Sequence, residues 1–404
     1  MKKEIAVVGG GASGLTAAIA AARKGVNVTV YERQDRVGRK ILATGNGRCN
    51  FTNIYASEEN YHGQDKAFVR GAVCRFWVED TLDFFRKLGV LAKIEEEGKA
   101  YPYSGQAAAV LDVLRMEAER LGIRIICRFE VARIERLGTG YILYSYQNEK
   151  RGADAVIMAC GGRAAPDLGS NGSGYPILEK LGHHIIPAFP ALVQVKTSTE
   201  YGKGLQGMKF DGIVRLFYNE TEIGAEQGEI LFTEYGLSGP PLFRLSRAVA
   251  MYRKCRIELD LMPEYSEEQV AGLLEAQKFP VKTLENYLVG ILPKRMGQVL
   301  LKACGIAPLS RISDTLSRKE IRQAARAIKG WSFETNGTLS WNNAQVTAGG
   351  VDVREVNPAT FESRLMDNLF IVGELLDIDG DCGGYNLQWA WSSGYIAGIS
   401  AAEG

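Results

Sequence analysis

The stretch KILATGNGRCNFTN, residues Lys40–Asn53, sets Asn46 between Gly45 and Gly47 and follows them at once with Arg48, Cys49 and Asn50. Glycines this dense cost conformational entropy to order, so they are expected where backbone approaches a bound group closely. Arg48 offers a cation that can support such a group or hold a substrate carboxylate or carbonyl. Asn50 is expected to fix the loop through hydrogen bonds. Cys49 can act as a nucleophile or redox thiol only beside an activating group or a resolving thiol. None of the seven cysteines forms a CxxC pair. A small packed residue is therefore the expected role of Cys49, and neither a disulfide framework nor a metal site is supported.

Proton carriers are few. The chain has three histidines, His62, His183 and His184. The pair follows EKLG at the end of an expected helix, where a surface or capping role is expected. His62 lies in a loop before a helix. There is no HExxH, G-x-S-x-G or P-loop.

A second constellation lies at the start. Glu4–Val8 reads as a buried strand, and Gly9, Gly11 and Gly14 then spell G-x-G-x-x-G. Leu15–Lys24 reads as a helix ending at Gly25, and Val26–Tyr31 as a second strand with Glu32 at its end. That order is the dinucleotide βαβ unit. Gly9 permits the tight turn, Gly11 lets a pyrophosphate approach the helix start at Ala12 and Ser13, and Gly14 allows close packing of helix on strand. Glu32 can accept both hydrogen bonds of a ribose diol and would repel a 2′-phosphate; Arg33 follows it. The amides and charges of Gly38, Arg39 and Lys40 suit the pyrophosphate or the adjoining ribose. The motif fits either NAD or FAD, which share an ADP half.

The C-terminus distinguishes them. Leu369–Val372 is an apolar strand ending in Gly373 and Glu374, and LLDIDGDCGGYNLQWAWSSGYIAG follows. Gly383 and Gly384 precede a helix expected from Tyr385 to Ala402, with Asp379 in the loop before it. A strand ending in Gly-acid, a glycine turn and a helix suit FAD. Glu374 would accept from a ribityl hydroxyl. The amides of Gly384, Tyr385, Asn386 and Leu387 would face the flavin N1–C2=O edge, where reduced flavin carries its charge. A partly buried helix end stabilises that charge by up to roughly 2 kcal/mol, which raises a two-electron potential by roughly 40 mV. Cys382 is a contact candidate, though packing is the plainer expectation. The Gly45–Asn50 loop is then expected against the flavin itself.

At 404 residues, two or three domains are expected. Lys+Arg is 48 against 47 for Asp+Glu, which gives no reason to expect a nucleic-acid partner. The first 25 residues resemble a signal peptide in their basic head and apolar middle, but Glu4 and the glycine run argue against one. No other stretch reaches the ~18 apolar residues of a membrane span. Scattered cysteines suit a reducing, cytoplasmic setting.

TGNGRCNFTN, GEILFTEYGLSGPP, AQVTAGGVD and GELLDIDGDCGGYNLQWAWSSG together resemble the BaiN-like, HI0933-type family of FAD-dependent oxidoreductases, some of which are described as aminoacetone oxidases. The resemblance runs from about residue 4 to 400. It implies an FAD domain split by an inserted domain. It also implies a flavin-side turn at Gly161 and Gly162, after the strand Ala155–Cys160 that carries Ala159. It turns Tyr101 and Glu234 towards the flavin as pocket residues. The family commonly has His where this chain has Glu234, so its charge or proton chemistry there differs.

Along the chain, Lys66–Leu88 and Gln106–Leu121 have helical periodicity. Ile123–Cys127 is an expected strand, and the returning segment at Val131 is expected to reach adenine. Leu168–Tyr175 is expected as a loop over the cofactor. The expected fold is α/β: a doubly wound Rossmann-like FAD domain, 1–190 and 346–404, interrupted by a β-barrel-like insert at 191–345. Within the insert, 191–262 is β-rich and 264–330 helical. Asn336-Gly337 signals a hairpin between 331–335 and 338–341. No second dinucleotide fingerprint occurs, so NAD(P)H would dock transiently. The leading expectation is NAD(P)H-dependent reduction of an activated C=C bond by hydride through flavin N5. Arg48, Tyr101 and Glu234 are the catalytic candidates. The alternatives are an oxygen-dependent aminoketone oxidase releasing peroxide and a flavin-binding sensor without turnover.

Overall fold

The computed structural model describes residues 2–198, 202–252 and 254–404. They fall into two compact units, Met1–Pro190 with Ala344–Gly404, and Ala191–Asn343.

The first unit is built on β1 (Glu4–Val8), α1 (Ala12–Ala22), β2 (Asn27–Glu32), α2 (Ala107–Arg120), β3 (Arg124–Cys127), β4 (Ala155–Met158), β5 (Leu369–Ile371) and α3 (Tyr385–Glu403). The strands form one parallel sheet in the order β5–β4–β1–β2–β3. The short apolar runs IAVV and AVIM are buried along their length, as strands covered on both faces must be. The central pairing of α1 with α3 depends on small residues. A Cβ on Gly394 would land on the Ser13 carbonyl, and one on Gly398 on that of Ala17. The two helices therefore run side by side in the same direction, with the middle of α3 against the start of α1.

The second unit is a closed six-stranded barrel in the order Val195–Thr197, Gly236–Ser238, Thr221–Phe232, Lys209–Tyr218, Arg256–Asp260 and Trp331–Thr338. Val214, Leu216, Ile230, Phe232, Ile257 and Leu259 share one core with the helices Glu267–Ala276, Lys294–Ala303 and Arg318–Lys329. Ser266 and Ser317 cap two of those helices, each accepting from a backbone amide three residues on.

Two local expectations are corrected. Trp331–Thr338 is one strand running through Asn336 and Gly337, not a hairpin. It closes the barrel by pairing with Arg256–Asp260 on one side and Val195–Thr197 on the other, so long-range partners override the turn signal. The periodic run 66–88 is broken: Lys66–Val73 ends and a new helix begins at Val78. The Asp80 carboxylate accepts the Trp77 amide at 2.9 Å and starts that helix afresh.

Candidate active site

The turn after β1 is shaped by three glycines with different duties. Gly9 has φ of +106° and donates to the Tyr31 carbonyl at 2.8 Å. A Cβ on Gly9 would strike the Ala159 carbonyl, and one on Gly14 would land on the Gly9 carbonyl. Gly11, the N-cap of α1, instead faces open space, with nothing within 4 Å of where a Cβ would stand. The first bond of α1 runs from Leu15 to Gly11 at 3.0 Å, which leaves the amides of Ala12, Ser13 and Gly14 ahead of the helical ladder.

Glu32 is only 8% exposed. One carboxylate oxygen accepts from the Gly10 amide and the other from the Gln34 amide, each at 2.8 Å. A carboxylate has about four acceptor positions, so half its capacity orders the turn and half stays available. Gly38 donates to Gly10 at 2.9 Å, and the Arg39 guanidinium donates to the Gln34 side chain at 2.6 Å. Arg33 pairs with Glu130 at 3.3 Å. Phe129 donates to the Glu32 carbonyl at 2.9 Å, which brings buried Val131 to the same strand end.

Lys40 does something the sequence did not suggest. Its ammonium donates to Glu374 at 2.8 Å and to the Ala164 carbonyl at 3.2 Å. The other oxygen of Glu374 accepts the Thr347 amide at 2.9 Å. The Thr347 hydroxyl in turn accepts the amides of Arg163 and Ala164 at 2.8 and 3.0 Å, just after the Gly161–Gly162 turn. Four segments distant in the chain meet here. Sequence reading missed Thr347; its only signal was its place in the AQVTAGGVD segment.

Next to Glu374, Gly373 has φ of +68°, and its amide donates to Ser393 at 3.0 Å. Gly383 and Gly384 have φ of +140° and +102°. The Asn386 side chain clamps the loop before α3, accepting the Gly380 amide at 2.8 Å and donating to the Gly380 carbonyl at 2.7 Å. Asp379 is buried in that loop, where its backbone pairs with His62. The first bond of α3 runs from Gln388 to Gly384, so the Asn386 and Leu387 amides precede its ladder.

The opening loop is strained. Gly45, Asn46, Gly47 and Cys49 all have positive φ, at +56°, +54°, +82° and +60°. At the two non-glycine residues such a conformation costs of order 1–3 kcal/mol each. Cys49 is fully buried, and burial pushes its thiol up to about 12. Burial thus keeps the thiol neutral, an environment that suits packing rather than nucleophilic attack. The Asn50 side-chain oxygen is buried without a partner. Arg48 is 42% exposed, pairs with Glu95 at 2.6 Å, and stacks its guanidinium 4.1 Å from the Tyr101 ring centre. Burial raises the Tyr101 phenol above its ordinary range. Arg48 and Tyr101 are thus brought together; Glu95, which holds Arg48, carried no signal beyond an acidic run.

The HI0933-like protein Rossmann domain family matches residues 3–400. A Clostridium scindens protein named 3-dehydro-bile acid delta(4,6)-reductase is 40% identical over 412 residues, spanning 99% of each chain. A Haemophilus influenzae protein named ribosomal RNA dihydrouridine synthase is 31% identical over 408 residues, 98% of each chain. An Escherichia coli protein of the same name is 30% identical over 398 residues, 96% of this chain and 95% of that one. This chain belongs to the HI0933-like family. It is an FAD-dependent oxidoreductase.

The residues fit the cofactor of the HI0933-like family. Gly11 leaves room for a pyrophosphate, two helix starts offer amides to anionic oxygens, and Asn50 presents a buried acceptor that nothing among the described residues serves. Glu234 is in the second unit, exposed on the turn that Thr233 closes by donating to Gly236 at 2.8 Å. His62 pairs with Asp381 at 2.8 Å. His183 is not a surface residue. It is buried between Glu355 at 3.1 Å and the Ser363 hydroxyl at 2.9 Å, and burial lowers its pKa. Helix Gly174–Lys180 ends before it and turns its ring inward.

Proposed function

We propose that this chain reduces a carbon–carbon double bond conjugated to a carbonyl in a small organic molecule, with NAD(P)H as a transient donor. FAD, when bound, supplies hydride exchange at N5. One observation carries the reading. Relatives matched over nearly their whole length are named for unlike substrates, yet a bile-acid delta(4,6)-reductase and a dihydrouridine synthase both describe hydrogen added across a C=C bond conjugated to C=O.

Arg48 is the group assigned to the carbonyl oxygen. Its charge is permanent, and Glu95 and the Tyr101 ring hold it in place. Negative charge develops on that oxygen as hydride reaches the β-carbon, and a preorganised cation stabilises it. Tyr101, kept protonated by burial, is the proton carrier assigned to the α-carbon. Seven cysteines without disulfides suit a cytoplasmic setting, and no helix among the described residues is long and apolar enough to cross a membrane.

The relatives named for ribosomal RNA favour a second reading, a uracil base within RNA as substrate. Against it, 48 basic and 47 acidic residues leave no cationic excess for a phosphate backbone. Anaerobic stopped-flow tests the reaction. NAD(P)H should bleach the flavin band near roughly 450 nm, and a conjugated enone should restore it. Restoration by an RNA fragment and not by enones supports the second reading. Bleaching by an aminoketone, with peroxide on re-aeration, makes the protein an oxidase. Bleaching by neither leaves a flavin-binding sensor and overturns the proposal.

A further inference from the structure

Among the described residues, the buried side-chain atoms without a hydrogen-bond partner are Thr16 Oγ1, Asn50 Oδ1, Tyr175 Oη and Gln194 Oε1. Thr16 is inside α1, and Gln194 is in the barrel unit. Tyr175 ends the glycine-rich stretch Leu168–Tyr175, expected as a loop over the cofactor, whose last two residues instead begin a helix. It is the second residue of helix Gly174–Lys180 and 6% exposed.

The surrounding backbone fixes its ring. Gly172 donates to the Gly162 carbonyl at 2.9 Å, tying this stretch to the turn after β4, and a Cβ on Gly172 would stand 3.4 Å from the ring. Gly174 lies against the Cys160 sulfur and Leu375. Burial, with the charge of Glu374 next, holds the phenol protonated far above its ordinary range. The hydroxyl is therefore a donor, and what it lacks is an acceptor. A fold does not bury an unserved donor without cost, so the acceptor is expected from a bound molecule.

We propose that Tyr175 Oη donates a hydrogen bond to an oxygen in the flavin half of bound FAD. The half follows from its neighbours. Gly172 is tied to Gly162, where a Cβ would meet the Thr347 hydroxyl and the Glu374 carboxylate, and Gly174 lies against Leu375, next in the chain to Glu374, the expected ribityl acceptor. The inference rests on the family's cofactor and not on the reaction proposed above.

The test is Tyr175→Phe in the full chain, stripped of FAD and titrated by fluorescence with FAD and, separately, with ADP. FAD should bind about tenfold more weakly, ~1.4 kcal/mol, with ADP affinity unchanged. The apoprotein should melt no lower than wild type, because an unserved hydroxyl has been removed, while the stabilisation by added FAD shrinks. An FAD affinity within twofold of wild type overturns the proposal. An equal loss for ADP overturns the assignment to the flavin half. A lower apoprotein melting temperature with undiminished FAD stabilisation means that the fold itself serves Oη, and also overturns it.

Discussion

Arg48 is the side chain on which the proposed chemistry turns, and its neighbours separate charge from position. Arg48→Met removes the cation while keeping bulk over Tyr101. We expect kcat/KM for an enone to fall ~100-fold, as for loss of one oxyanion donor, with FAD content unchanged by absorbance. Glu95→Gln should have a smaller effect, since the guanidinium keeps its stack on Tyr101. His183 makes a prediction about stability instead. Its pKa is depressed in the fold, so the unfolded chain binds the proton first as pH falls. Its contribution is complete above the unfolded value of about 6.5 and is lost as pH drops below it. The slope is at most ~1.4 kcal/mol per pH unit for one proton. Denaturant melts from pH 7 to pH 5 should show the loss in the wild type and a shallower slope in His183→Gln. The His183 environment is not legible from residue type: the pair after EKLG looks like a helix end, and only the fold turns one of its rings inward between Glu355 and Ser363.

The glycine turn after β1 shows what an element needs of its residues. Gly14 faces the backbone of Gly9, so Gly14→Ala should destabilise the apoprotein by about 3 kcal/mol through overpacking. Gly11 faces open space, so Gly11→Ala should cost the apoprotein only about 1 kcal/mol, as an N-cap change. Gly11→Ala should nonetheless weaken FAD binding by at least ~100-fold, equal to ~2.7 kcal/mol. Thermal melts and FAD titration of the two variants should therefore rank them in opposite orders. The βαβ unit and the α3 start were legible because their requirements are local: a turn, a close approach, an acid at a strand end. The 331–338 strand and the broken helix at 66–88 were not, because a barrel partner and an Asp80 cap decided them.

At the scale of the whole molecule, the insertion leaves the first unit and returns to it on neighbouring strands. Asp352 donates to the His184 carbonyl, and Gly349 packs on Pro187, so Ile185–Ala191 and Val346–Val351 run antiparallel and bring the two exits together. The second unit closes its own barrel around its own core. Residues 191–343 expressed alone should therefore melt cooperatively, with β-rich circular dichroism; a gradual, non-cooperative melt would contradict an independent core. The cofactor class, the Rossmann unit and the barrel-like insert were all readable from the chain, because strand burial, glycine spacing and helix starts act over a few residues. The tertiary structure alone decided that Lys40 reaches Glu374, that Thr347 joins them, that Glu95 holds Arg48 and that Tyr175 is left without an acceptor. Those pairings join residues up to 334 positions apart, and no periodicity or local motif records which distant side chains a fold will bury side by side.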